Sequence, residues 1–226
     1  MKKIICIVFN MFVFINMHAK ISHEVQVGLS YNRTTWQTTG HLFYPDETFK
    51  RNKPAFQPCV RYKLHFNLIS KDSLPKLNIN VFTGYHIFGG KSISDSSAYK
   101  DKYAFHTLEL GINPSFYILP KLSVGIAFKM NYTPLVFQKD YGSPYQSDEV
   151  AREWKRQNVA DRFKKLSYNM GLTASYQYQR FSLSAEAWFG LTNLNNIESL
   201  ISKIEVKENN YRLLLGYTLG NKKNKK

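Results

Sequence analysis

Cysteine is almost missing: the 226 residues hold two, Cys6 and Cys59. Cys6 falls in an N-terminal apolar run, so a processed chain keeps one thiol. That excludes an internal disulfide and any cysteine-rich metal site. Cys6 also stands near the start of the apolar run rather than after it, the wrong place for a lipoprotein acceptor. Acidic residues are few, 16 Asp and Glu against 31 Lys and Arg. Such an excess can mark a nucleic-acid binder. Here the bases are scattered, and the one dense run is the tail Lys222, Lys223, Lys225 and Lys226, so no nucleic-acid partner is expected. Beyond the N-terminus no stretch comes near 18 consecutive apolar residues, which excludes a further membrane-spanning helix. Glycine-rich phosphate loops, zinc spacings and calcium loops are missing as well, and no cofactor or metal is expected. Asn32-Arg33-Thr34 fits an acceptor sequon, a pattern too common to carry weight.

What is present is an N-terminal leader and a high aromatic content. Residues 1–19 read MKKIICIVFNMFVFINMHA. Lys2 and Lys3 give a basic start, Ile4 to Ile15 is apolar but for Asn10, and Met17-His18-Ala19 offers cleavage after Ala19, the pattern of a secretory signal peptide. The expected organisation is a signal peptide over 1–19, one domain over 20–220 and a basic tail over 221–226. Aromatics make up 15% of the chain, with 15 Tyr and 16 Phe, which favours strands and membrane interfaces over a helical bundle. The mean hydropathy of −0.37 does not speak against a membrane, because a barrel strand places only every second residue in lipid.

Alternation with a period of two is the main signal. It runs through eight segments: 25–31, 60–68, 77–87, 108–118, 122–132, 166–178, 181–191 and 211–219. One face of these segments has 45 positions without a charge, and only Thr83 and Pro114 on it are neither aliphatic nor aromatic. Of the 37 intervening positions, all but Phe82, Tyr117, Ala127, Trp188 and Leu214 are polar, charged or glycine. A soluble sandwich also alternates, but its solvated face would carry more Lys, Glu and Thr. Here that face is rich in small residues such as Gly28, Ser30, Gly84, Gly111, Gly125, Gly171 and Gly216, which suit a cramped interior. Tyrosines gather at the segment ends, with Tyr31, Tyr85, Tyr132, Tyr168 and Tyr211 at one rim and Tyr176, Tyr178 and Tyr217 at the other, as membrane girdles do.

The connections point the same way. Short links (69–76, 119–121, 179–180) alternate with long ones (32–59, 88–107, 133–165, 192–210), as expected of outer-membrane barrels with both termini in the periplasm. An even strand count closes the sheet and removes its edges, which lipid requires. The expected fold is therefore all-β, an eight-stranded antiparallel up-and-down transmembrane β-barrel. Pro114 removes a ladder donor, so a bulge or local irregularity is expected there.

Over residues 24–219 the pattern resembles the small eight-stranded outer-membrane barrels, those like OmpA and OmpX, in a style similar to barrels of Bacteroidetes. The resemblance implies the outer membrane of a Gram-negative bacterium. It also implies an interior filled by salt bridges. The last strand departs from the family by ending on Tyr217-Thr218-Leu219, followed by the basic tail, where an aromatic usually closes the chain.

Eight strands enclose a space that side chains can fill, which excludes a wide diffusion pore. The inward set holds Arg61, Lys63, Glu109, Lys129, Glu186 and Arg212, with His65 and His86. Buried charges need partners. The tight 119–121 turn sets Glu109 near Lys129, and Glu186 and Arg212 lie at similar depth on neighbouring strands, so a polar network on these pairs is expected. A lipid-modifying enzyme would need a nucleophile, a base and an orienting carboxylate. His23, His41, His65, His86 and His106 form no such cluster in sequence, and Glu109 is on the opposite strand face from His106. The leading expectation is a non-enzymatic envelope protein acting in envelope structure or surface interaction, or as an accessory of a secretion system. A lipid-modifying enzyme and a narrow gated channel are the rivals. Outer-membrane lipids and lipopolysaccharide are the expected partners, with a protein partner at loops 32–59 and 133–165. In the latter, Ser147 caps an expected short helix, with Asp148 and Glu149 in its first turn, Val150 and Trp154 on one face, and Lys164 and Lys165 beyond its end. Loop 32–59 carries Trp36, Phe43, Tyr44 and Phe49.

Overall fold

The computed structural model describes residues 19–39, 55–68, 77–93, 100–141, 155–196 and 203–219. The expected signal peptide up to residue 18, the tips of the long links (Phe43, Tyr44 and Phe49 among them), the 69–76 link, residues 147–154 and the tail lie outside the described residues. The strands are β1 (Ala19–Thr39), β2 (Ala55–Leu68), β3 (Leu77–Ile93), β4 (Lys100–Leu119), β5 (Leu122–Tyr141), β6 (Lys155–Asn158), β7 (Leu166–Tyr178), β8 (Phe181–Gly190) and β9 (Lys203–Leu219). Every pairing is antiparallel, β9 returns to β1, and β4 pairs with β5, so eight strands close into a barrel. The short β6 stands apart, extending the free edge of β5 beyond the point where β7 ends.

The stagger of this barrel follows from its register. From His23 one passes to Leu64, Val81, Ile112, Phe128, Met170, Phe189 and Asn209, and returns to β1 at Arg33. The offset from 23 to 33 is a shear of ten residues. With eight strands it tilts each strand by about 40° from the barrel axis. Eleven residues of β5, Leu122 to Tyr132, then suffice to cross the hydrocarbon.

The wall obeys the alternation. Val27, Leu29, Val60, Leu110, Ile126, Leu172, Leu183, Leu213 and Leu215 are exposed, while Gln26, Ser30, Arg61, Asn113, Lys129, Asn169 and Asn210 between them are buried. Two tight turns, Pro120-Lys121 and Gln179-Arg180, and both barrel termini mark one end of the molecule, here the turn end. Gln179 takes φ of 54° there, a left-handed conformation that glycine would adopt more cheaply. Aromatic rings stand outside at both rims. Tyr31 lies near Phe56 and Tyr211 with the rings tilted and the centroids 5.3 and 6.4 Å away. At the turn end Phe181 meets Tyr217 at 5.4 Å, Arg180 Nη1 donates to the Tyr217 hydroxyl, and Lys121 Nζ lies 5.2 Å above the Tyr178 ring.

Of two local expectations, one is met and one changes. At Pro114 the ladder to β5 skips Asn113 and Pro114 but resumes in the same register, Ile112 opposite Phe128 and Ser115 opposite Gly125. The missing donor leaves a gap, which is the local irregularity expected there in a form other than a bulge. A bulge lies instead at Thr133-Pro134, where Leu108 faces Tyr132 but His106 faces Leu135, so two β5 residues oppose Thr107. The helix expected in the 133–165 link does not occupy its described part. Residues 155–158 are β6, paired with Phe137 to Asp140, and Ala160–Arg162 form one 3-10 turn. The extended β5 edge offers unpaired backbone groups, and β6 satisfies them better than an isolated helix would.

Candidate functional site

The candidate site is the lumen together with its loop-end mouth. Glycines make room in it. A methyl at Gly111 would sit 2.3 Å from Phe82 Cζ, and one at Gly171 would sit 2.6 Å from Trp188 Cε3. The bulky exceptions to the alternation therefore point inward, and Phe82, Ala127 and Trp188 form a small apolar cluster in the middle of the lumen. Phe82 and Trp188 meet edge to face at 6.0 Å.

Charges surround this cluster. The six sequence-derived residues all lie inside and buried. Arg61 clamps Glu186 with two bonds, Nη1 to Oε1 at 2.5 Å and Nη2 to Oε2 at 3.0 Å, and its Nε donates to Glu109 at 3.0 Å. Arg212 Nη1 donates to both Glu109 oxygens, at 2.9 and 2.8 Å. Lys129 donates to Glu109 at 3.4 Å, the neighbour its register implies. Glu186 and Arg212 are indeed backbone partners on β8 and β9, yet Glu186 takes its ion pair from Arg61 and Arg212 gives its own to Glu109. A long guanidinium reaches across a narrow lumen, so strand adjacency does not choose its partner. The cations also rest on rings. Arg61 lies 4.1 Å above Phe82, while Lys129 and Arg212 lie 4.8 and 5.9 Å from the Trp188 ring centroid. Trp188 Nε1 donates to Glu186 at 2.8 Å. Lys63 is buried nearer the turn end, with Glu24 and then Glu186 as its main opposite charges.

Two carboxylates escaped the sequence reading. Glu208 accepts from Lys129 at 3.3 Å, from Asn131 at 2.7 Å and from Asn210, and His86 Nε2 lies 3.1 Å from it. The same imidazole has Nδ1 3.3 Å from Glu109. Glu24 touches His65 and accepts from Ser182 and from Gln26. Both Glu24 and Glu208 sit just outside the apolar runs that marked the segments, and extending the period by one or two steps would have found them. With them, four buried carboxylates match four buried Lys and Arg side chains among the described residues, as buried charges require.

Above the network the lumen turns apolar. Phe88, Phe105, Val136, Val159, Ala160, Phe163, Leu194 and Val206 form one buried cluster. Phe88 stacks on Phe105 at 4.5 Å, and Phe163 meets Phe105 edge-on at 4.9 Å. Two connections fold over the mouth to build it, residues 159–165 and 191–196. They are tied together by Lys164 N to Leu194 O at 2.7 Å and Asn196 N to Arg162 O at 3.0 Å, and to β9 by Leu194 N to Val206 O at 2.8 Å. No sequence feature singles out this plug, because its residues fall in segments that read as loops.

The arrangement bears on the chemistry considered from sequence. Glu24, His65 and Ser182 do come together, but the carboxylate stands between the other two. No imidazole therefore faces the hydroxyl as nucleophilic catalysis requires. His106 is outside, its Nδ1 2.5 Å from the Tyr85 hydroxyl, while Glu109 is inside. Among the described residues no group of three or more His, Cys, Asp or Glu could hold a metal. Asn32 of the sequon is buried, donating to Ile87 O at 3.1 Å, and is out of reach of a modifying enzyme.

These features define the class of protein, an eight-stranded closed barrel with an apolar wall and a charge-filled, plugged lumen. No family model and no curated protein matches the chain. Among solved structures it is similar to a major outer membrane protein from Thermus thermophilus, at 11% identity and a TM-score of 0.49, over 88% of this chain and 100% of that one. It is also similar to Ail, the attachment invasion locus protein of Yersinia pestis, solved in complex with the heparin analogue sucrose octasulfate, at 11% identity and a TM-score of 0.48 over 88% and 99%. Neisserial surface protein A gives 9% identity and a TM-score of 0.45 over 88% and 99%.

Proposed function

We propose that this chain is a non-enzymatic outer-membrane barrel of a Gram-negative bacterium that works in envelope structure or surface interaction through its loop end. The observation that supports this most is the pairing of an apolar, tyrosine-rimmed wall with a lumen that is blocked twice, by the Phe82-Trp188 cluster with its ion pairs and by the apolar plug above. Hydrocarbon outside explains the wall, and a filled lumen argues against solute passage. On this reading residues 1–19 export the chain, 20–220 are the barrel, the tail 221–226 stays in the periplasm, and the loop end faces outward. The style similar to Bacteroidetes barrels belongs to the same reading. Links 32–59 and 133–165 are its candidate contacts with a protein partner, and an accessory role in secretion fits a rigid barrel that presents loops.

The test is threefold. The protein should fractionate with the outer membrane, migrate differently on a gel before and after boiling, and give no steady conductance in planar bilayers. A heat-insensitive soluble protein would sink the barrel in a membrane, and an open conductance would sink the closed lumen. Lipid A chemistry altered by overexpression would speak for the enzyme instead.

A further inference from the structure

The loop-end rim is chemically uneven. Residues 159–165 lead from β6 to β7, and hydrogen bonds fix their backbone on both sides. Thr133 N donates to Lys165 O at 2.8 Å, Lys164 N to Leu194 O at 2.7 Å, and Asn196 N to Arg162 O at 3.0 Å. Ala160 and Phe163 are buried in the plug, which leaves Asp161, Arg162, Lys164 and Lys165 exposed. A rigid segment thus presents three cations and one acid. Arg162 Nη1 donates to Gln138 Oε1 at 3.3 Å, which steadies the guanidinium.

On the wall of β4, β5 and β7, where this segment joins the barrel, lies a furrow of about 530 Å³ lined by Leu110, Ile112, Phe128, Met130, Tyr168 and Leu191. Leu191 N donates to Tyr168 O at 2.9 Å and closes one side of it. Tyr168 is three residues from Lys165, a separation of about 10 Å along the strand. A cationic shelf therefore sits about one headgroup depth above an apolar trough.

We propose that shelf and furrow together bind one phosphorylated glycolipid, of the kind that forms the outward leaflet of an outer membrane. Arg162, Lys164 and Lys165 would hold its phosphates and the furrow one of its acyl chains. This rests on the reading of the chain as an outer-membrane barrel. Guanidinium and ammonium groups pair with phosphate oxygens through charge-assisted bonds. Basic side chains at a membrane surface attract anionic headgroups. The shelf is at the end opposite the turns and both barrel termini, which on that reading is the outward leaflet, and three cations suit a headgroup with more than one phosphate better than a singly charged phospholipid.

The experiment uses the full chain in detergent micelles and native mass spectrometry with three probes: bisphosphorylated lipid A, its dephosphorylated form and phosphatidylglycerol. Lipid A should bind the wild type about ten-fold or more tightly than either other probe, and R162Q/K164Q/K165Q should lose about ten-fold or more of that affinity. The furrow-filling variant Ile112→Trp should also weaken lipid A binding. Equal binding of phosphatidylglycerol, or a smaller loss in the triple variant, overturns the site. Heat-modifiable migration checks folding of each variant. Should the triple variant not fold, the comparison of the three lipids on the wild type decides. A wild type that lacks the heat-modifiable band defeats the membrane reading itself, whereas a folded wild type without lipid selectivity defeats only the site.

Discussion

Strand β9 passes through two regions of opposite chemistry. From Tyr211 to Tyr217 the odd residues are exposed and apolar, and Arg212 lies inside. A few residues earlier on the same strand, Val206 is buried in the plug while Glu205 and Lys207 stand outside, 3.4 Å apart as an ion pair. The period is the same and its sign is reversed. The difference teaches that the pleat fixes only which residues share a face, and the surrounding medium fixes what that face must be. Against hydrocarbon the outside must be apolar, and the polar groups turn inward where they need partners. Against water the outside is polar and the inside can be an ordinary core.

The largest effect should come from breaking the polar interior. Glu109→Ala leaves Arg61, Arg212 and Lys129 without a shared carboxylate and should cost about 4 kcal/mol, read from the urea dependence of the heat-modifiable band. In the loop-end region Phe105→Ala removes the ring that Phe88 and Phe163 pack on. It should cost about 3 kcal/mol in the same assay and also raise proteolysis of the loops in intact vesicles. The wall and the loop-end exterior are separated by two substitutions on β9. Leu213→Arg should cost about 2 kcal/mol in lipid vesicles, whereas Lys207→Leu should change stability by less than about 0.5 kcal/mol. Equal costs would erase the distinction between the regions. The boundary itself should give a loss between those of Leu213→Arg and Lys207→Leu. Thr107→Val removes the hydroxyl contact to Thr133 across the bulge, 2.9 Å long, and should cost about 1 kcal/mol.

The sign reversal also explains what the sequence could tell. The eight wall segments, their order and the hairpin at 179–180 were legible, because hydrocarbon demands a strict apolar face over about ten residues. The extensions of β1, β3, β4, β5 and β9 towards the loop end were not, because a search for outward apolar residues ends where water begins. Val136 illustrates it: the bulge at Thr133-Pro134 shifts the parity of β5, so no fixed alternation leads to it. Phe82, Ala127, Trp188 and Leu214 stood out as breaks in the polar face, and their inward burial was readable from that. The membership of Arg61, Glu109, Lys129, Glu186 and Arg212 in the polar face was also readable. The pairing of Arg61 with Glu186, 125 residues apart, was not, because it depends on side-chain reach across the lumen rather than on register. Lys164 and Lys165 were visible as a basic pair, but the shelf they form depends on backbone bonds to Thr133 and Leu194 that no local pattern encodes.

The outer face of one strand changes from polar to apolar while its facing stays the same, and spin labels in lipid vesicles test this most directly. In a Cys59→Ser background, labels at Leu213→Cys and Lys207→Cys report collisions with oxygen, which concentrates in lipid, and with a water-soluble nickel complex. The label at 213 should respond to oxygen and be shielded from nickel, and the label at 207 should respond to nickel. Nickel access at both positions, or lipid exposure at both, would contradict the account.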